Sequence, residues 1–316
     1  MPDLISFQSI LFKILPLYLI ILIGYVAGRF LEIERKSIAL MIMYVVAPIV
    51  FFNGIIKDRV PLSSLNIALV VFLICSILAL LALGVGSLLW KNFNKNLLAL
   101  CASSGNMGYF GLPVGLAIFG EKALGTLIMG MLGIIIFQNS AGFFIAANGK
   151  HSFNKSLKKT LLVPNLYAVA LAFWLRNYID LNNLSDFSKG VFKLTDNFTG
   201  AYSILGMLIV GLGLAQINKI KLDKDTGIFL VLSLFSKFIL FPALTYAFII
   251  LDQQCFHLFN QLTYKILMLL SLSPIPANAI VIASSLKLNT DKISIAVMIS
   301  NIAALFLIPY LLTLWY

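Results

Sequence analysis

Residues 104–114 read Ser-Gly-Asn-Met-Gly-Tyr-Phe-Gly-Leu-Pro-Val inside an otherwise apolar stretch at 97–119. These residue types suit recognition of a small solute rather than bond-making. The Asn106 amide can donate to an anion and accept from a donor. Gly105, Gly108 and Gly111 leave bare backbone beside it, so N–H groups can approach a ligand. Pro113 presets the start of a second half-helix, whose N-terminal end carries partial positive charge suited to a carboxylate. Downstream, Pro274, Pro276 and Asn278 repeat the theme in Ser-Pro-Ile-Pro-Ala-Asn at 273–278. The alternative is that both segments are structural kinks, with the asparagines capping freed backbone groups.

The elements that must carry these residues are membrane helices. A bilayer core needs about 20 apolar residues, and three glycines and a proline interrupt any regular helix placed there. Hydrocarbon cannot satisfy the exposed backbone, so such a break must face protein or a water-filled cavity. Two interrupted spans in corresponding halves of a chain point to a solute-binding site at the membrane midplane.

Composition agrees. Of 316 residues, 60% are hydrophobic and only 11% charged, against about a quarter charged in a soluble domain. The net charge of +11 reads as cationic loops on the cytoplasmic face, and no nucleic-acid partner is expected. The N-terminus reads as uncleaved, because the apolar stretch near Lys13 is too long for a signal-peptide core. Cys75, Cys101 and Cys255 show neither metal spacing nor a disulfide framework.

Ten apolar spans are expected, near 10–31, 37–56, 66–90, 97–119, 123–147, 160–179, 197–217, 226–250, 266–286 and 293–315. The start of the seventh is blurred by Asp196 and Asn197. Loops after odd-numbered spans hold fourteen of the 23 Lys and Arg residues, among them Arg29, Arg35, Lys91, Lys95 and Lys292. That excess makes the odd loops cytoplasmic and puts both termini outside a multi-pass cell membrane protein. Five spans per half imply that a homologous second half is inverted. The expected fold is therefore all-α, with ten transmembrane helices as two inverted five-helix repeats, residues 1–150 and 151–316. Spans four and nine would be broken crossover helices, and the loop at 148–159 would be the divide.

Other polar residues fall within spans. Asn139, with Gln138 and Ser140, lines the same cavity or makes interhelical hydrogen bonds worth about 0.6 kcal/mol each. Asn53, after Pro48, divides the same way. Asn301 reads as packing against a neighbour. Lys237 is near the centre of span eight, where an ammonium costs on the order of 3 kcal/mol. With no deep carboxylate to pair with, it reads as electrostatic support more than as a substrate contact. The lack of buried acids disfavours proton relay through a carboxylate, while a sodium site built from neutral oxygens stays open.

Enzyme chemistry finds no support. No His-Glu-x-x-His is present, and the segment at 115–121 starts like a phosphate loop but has Glu121 where a lysine is required. No catalytic group, metal or cofactor is expected. A channel is the harder competitor, since broken helices also build selectivity filters.

The run from Gly105 to Pro113 resembles the fourth-span motif of the auxin efflux carrier family. Ile23-Gly24-Tyr25, Ala47-Pro48-Ile49-Val50-Phe51, Phe241-Pro242, the 273–278 segment and Ile308-Pro309 are similar to that family too. The resemblance covers essentially the whole chain. It implies a secondary carrier of small organic anions such as carboxylates or auxin-like acids, working by alternating access. Spans four and nine would cross beside the substrate, with Asn106 as the crossover asparagine and Asn278 as its counterpart. It also implies that some members are homodimers. Tyr202-Ser203 stands where many relatives have a proline, and the central loop is short. A sodium- or proton-coupled symporter of related architecture, or an anion channel, remains the alternative.

Overall fold

The computed structural model describes residues 7–147, 161–179, 184–215 and 223–313. Among these the chain is helical, with no strand. In order come α1 (Phe7–Phe30), α2 (Arg35–Met41), α3 (Ala47–Lys57), α4 (Leu65–Leu89) and α5 (Asn94–Ser103). Then follow α6 (Leu112–Phe119), α7 (Leu124–Asn139), α8 (Ala141–Ala146), α9 (Pro164–Leu175) and α10 (Asp186–Ala215). The last are α11 (Lys224–Phe235), α12 (Phe241–Leu251), α13 (Gln261–Ser271), α14 (Asn278–Ser285) and α15 (Asp291–Thr313).

Proline chemistry shapes several of these rods. Wider π-helical turns occupy Ile42–Val46, Met107–Gly111 and Ser236–Leu240, each ending two residues before a proline: Pro48, Pro113 and Pro242. A proline lacks the N–H that would close the ladder, and its ring pushes on the carbonyl four residues back. Widening the preceding turn accommodates both faults without ending the rod. Thus α2 continues into α3 and α11 into α12, each pair a single long span.

Among the described residues, seven helical stretches are long and apolar enough to cross a membrane, against the ten spans expected. The three others are the expected spans at 97–119, 160–179 and 266–286. The first is divided into α5 and α6, and the third into α13 and α14. In the second, α9 is a 12-residue helix, about 18 Å of rise against a core of about 30 Å. The seventh expected span starts earlier than its polar residues suggest, since α10 already begins at Asp186. Asp196 is tolerated inside it because the Asn53 amide donates to its carboxylate at 3.0 Å and the Lys57 ammonium pairs with it.

Two groups of helices emerge from the packing. In one, α1 lies along α10, and α9 packs on α3, which also touches α10. Gly24 and Gly28 of α1 and Gly211 of α10 bring the two backbones together; a Cβ on Gly28 would stand 2.8 Å from that of Ala215. Lipid gives helices no hydrophobic reason to associate, so close van der Waals fit of this kind holds them. In the other group, α4 packs on α5, α7 and α12, α5 on α8 and α11, and α11 on α15. Each group draws on both halves of the sequence. The expected divide at 148–159 lies outside the described residues.

Candidate functional site

The two interruptions touch. Beyond α5 the chain is non-helical at 104–106, and beyond α13 it is non-helical at 273–276. The Asn106 N–H donates to the Pro274 carbonyl at 2.7 Å. The Asn106 carbonyl accepts from the N–H groups of Phe110 and Gly111, at 3.2 and 3.0 Å. At the second break the Ile275 N–H donates to the Ser300 hydroxyl at 3.0 Å, and the Asn301 amide donates to the Ile275 carbonyl at 3.4 Å. Backbone groups freed in a membrane must find partners. Here the other break and two side chains of α15 supply them. Pro113, Pro274 and Pro276 are buried around this junction.

The glycines are points of close approach by protein groups. A Cβ on Gly105 would meet the Lys237 Nζ at 3.0 Å, one on Gly108 the Tyr202 hydroxyl at 2.7 Å, and one on Gly111 the Ser273 Oγ at 2.9 Å. Their backbone is thus covered by side chains and not bare to a ligand. Three buried polar atoms at the junction have no hydrogen-bond partner among the described residues: Ser104 Oγ, Ser273 Oγ and Lys237 Nζ.

A cavity of about 720 Å³ opens beside the junction. Its floor is Asn106, Tyr109, Ala277 and Asn301. Ile209, Val210 and Leu214 of α10 form one apolar wall, and Val297 and Met298 of α15 the facing one. Polar and charged groups ring the mouth: Arg35, Asn94, Asp223, Asn289, Asp291 and Lys292. The cavity therefore lies between the two helix groups. None of its lining residues comes from the far end of the bundle, where Asp58 accepts from the Gly125 N–H at 2.7 Å and Lys13 donates to the Ile118 carbonyl at 3.2 Å. Burial raises the Asp58 carboxyl above its usual range despite that N–H bond.

Of the residues singled out from sequence, Asn106 faces the cavity, and its side chain makes no hydrogen bond to other described residues. Asn278 is exposed outside the cavity, donating to the Gln138 side chain at 2.8 Å. Asn139 is turned onto its own helix, donating to the Ile135 carbonyl at 2.9 Å. Asn53 serves Asp196, remote from the cavity lining. Lys237 is fully buried, its ammonium 4.1 Å from the centre of the Phe241 ring. That cation–π contact supplies part of the attraction a carboxylate would have given. Its place beside Gly105 fits support of the junction better than contact with a cavity occupant.

Sequence reasoning passed over three lining groups. By sequence Arg35 reads as a loop cation, Asn301 as packing, and Tyr109 as part of the glycine run. For Arg35 a signal existed: it opens an apolar helix rather than ending a loop.

Residues 9–162 match the family model described as Membrane transport protein. The chain is also 27% identical over 243 residues to an uncharacterized transporter of Methanocaldococcus jannaschii, covering 73% of this chain and 76% of that protein.

Proposed function

We propose that this chain, which matches the membrane transport protein family model over residues 9–162, is a secondary carrier moving small organic anions across the cytoplasmic membrane by alternating access. The observation that carries the reading is a cavity ending on Asn106, at the contact between two interrupted helices. In this reading α5–α6 and α13–α14 are crossing spans four and nine, α9 lies in span six, and the ten spans form two inverted repeats. The N-terminal ends of α6 and α14 then carry positive partial charge toward the junction. Together with the Asn106 amide they replace part of a carboxylate's water shell.

The positive-inside rule sets the direction. By that rule a mouth bearing Arg35 and Lys292 supports a cytoplasmic opening, with both termini outside in this reading. The cavity is then the inward-open state. A carrier with one open end is favoured over a channel by the contacts at the far end, Asp58 to Gly125 and Lys13 to Ile118. Alternating access moves the group holding α5 and α15 against the group holding α1 and α10, closing the mouth and parting those contacts.

Purified protein in liposomes tests this. Saturable uptake of labelled organic acids, with counterflow driven by unlabelled acid on the other side, is expected. Conductance at channel rates, or no uptake of any acid, would overturn it. Replacing sodium by choline separates uniport, which keeps its rate, from sodium symport, which loses it.

A further inference from the structure

The neutral groups on the cavity floor cannot tell an anion from its uncharged analogue. Asn106 and Tyr109 each donate and accept, so they serve a carboxylate and a primary amide alike, while the Asn301 amide N–H groups are spent on the Ile275 and Val297 carbonyls. Discrimination needs a full charge that is not already used. Four charged residues line the cavity. Lys292 is paired with Asp225 at 3.5 Å. Asp223 caps α11 by accepting the Thr226 N–H at 2.7 Å, and bonding to Thr226 holds its carboxyl below the usual range, so it stays anionic. Asp291 sits in the first turn of α15, where the helix dipole favours negative charge. Arg35 makes no ion pair or hydrogen bond among the described residues.

Its placement is built. Arg35 is the first residue of α2, and its guanidinium lies flat against α10 where residue 213 has no side chain. A Cβ on Gly213 would meet the guanidinium carbon and one Nη at 2.9 Å and the other Nη at 3.1 Å. Ile209, Val210 and Leu214 flank that seat on the same wall. A planar fork fixed beside apolar surface, with its donors unspent, matches a carboxylate in two parallel hydrogen bonds.

We propose that Arg35, seated on Gly213, reads negative charge in the cavity and selects a single carboxylate on an apolar body over the neutral amide of the same shape. The proposal rests on the organic-anion reading above and narrows it. One unpaired cation complements one carboxylate. A second carboxylate on the same solute would approach Asp223 and Asp291 and be repelled.

Binding to the full-length protein in detergent tests this, by calorimetry with hexanoate, benzoate, succinate, hexanamide and benzamide. Wild type binds hexanoate or benzoate at least about tenfold more tightly than the matching amide, since charge-assisted bonds are about twice as strong as neutral ones. Succinate binds more weakly than either monoacid. In Arg35→Gln the acid-to-amide ratio falls to near one while amide affinity holds; Arg35→Lys keeps part of the ratio. Gly213→Ala lowers acid affinity too, with a melting temperature equal to or above wild type, because alanine is the better helix former. A purely structural role for Arg35 would lower acid and amide affinity together and overturn the proposal. So would Arg35→Gln binding the acids as wild type does, or succinate binding best. A wild type that binds no acid overturns the organic-anion reading as well.

Discussion

The two interruptions use similar residues to opposite ends. At the first, Asn106 spends its backbone on the junction and keeps its side chain free over the cavity. At the second, Ser300 and Asn301 satisfy the Ile275 backbone, and Asn278 is turned away to Gln138. The two asparagines that the sequence pattern matches therefore face different surroundings. One break exposes a group that can act on a solute, and the other fixes the geometry that holds it there. A break in lipid has only so many donors and acceptors, and those closing its own backbone are lost to a ligand.

The strongest way to break that contrast is Asn106→Ala. The free amide is expected to contribute a hydrogen bond to a charged solute, about 1.5–3 kcal/mol, or roughly ten- to a hundredfold in Kd. Folding should change little, since the side chain holds nothing else among the described residues. Binding of organic acids to the purified variant, read beside its melting temperature, checks both halves. Unchanged affinity would remove the first break from the site.

Next in size is Ser300→Ala, which should strike stability instead. It leaves the Ile275 N–H buried and unpaired, a cost of about 1–3 kcal/mol. The melting temperature in detergent should fall measurably, with acid affinity in the folded fraction close to wild type. A variant that melts as wild type but binds poorly would reverse the roles assigned to the two breaks.

Asn278→Ala is the smaller companion. It removes one interhelical bond to Gln138, about 0.6 kcal/mol by the average for such bonds in membranes. Affinity should stay within about twofold. A loss as large as that of Asn106→Ala would restore the matching role the sequence pattern implies.

That pattern made much of the molecule legible. Apolar length marks the spans, and the glycines and prolines at 105–113 and 273–278 mark both breaks, because backbone chemistry is local. The π-helical turns before Pro48, Pro113 and Pro242 follow from the same chemistry. What stayed hidden depends on where side chains point across helices. Asp196 obscured the start of α10 because its partners, Asn53 and Lys57, lie about 140 residues away. Arg35 passes for a loop cation until Gly213 is seen beneath it. Asn301 reads as packing until it is found at both the cavity floor and the Ile275 carbonyl. The pairing of Asn106 with Asn278 came from the pattern, and the contacts of Asn278 separate them.

The subtlest probe compares the idle hydroxyls, one in each break. Ser104 Oγ and Ser273 Oγ are both buried without a partner among the described residues, and an unpaired buried hydroxyl costs free energy. Replacing either by alanine removes that cost together with a small volume. Ser104→Ala and Ser273→Ala should therefore leave the melting temperature level or raise it slightly. Their effect on transport then separates the breaks. If only the first break serves the solute as the helix groups shift, Ser104→Ala slows uptake in liposomes while Ser273→Ala does not. Equal slowing would mean that both hydroxyls find partners in another state of the cycle, and the contrast would hold for this conformation alone. A melting temperature lowered by either variant would mean the hydroxyl already has a partner, and the junction would need redrawing.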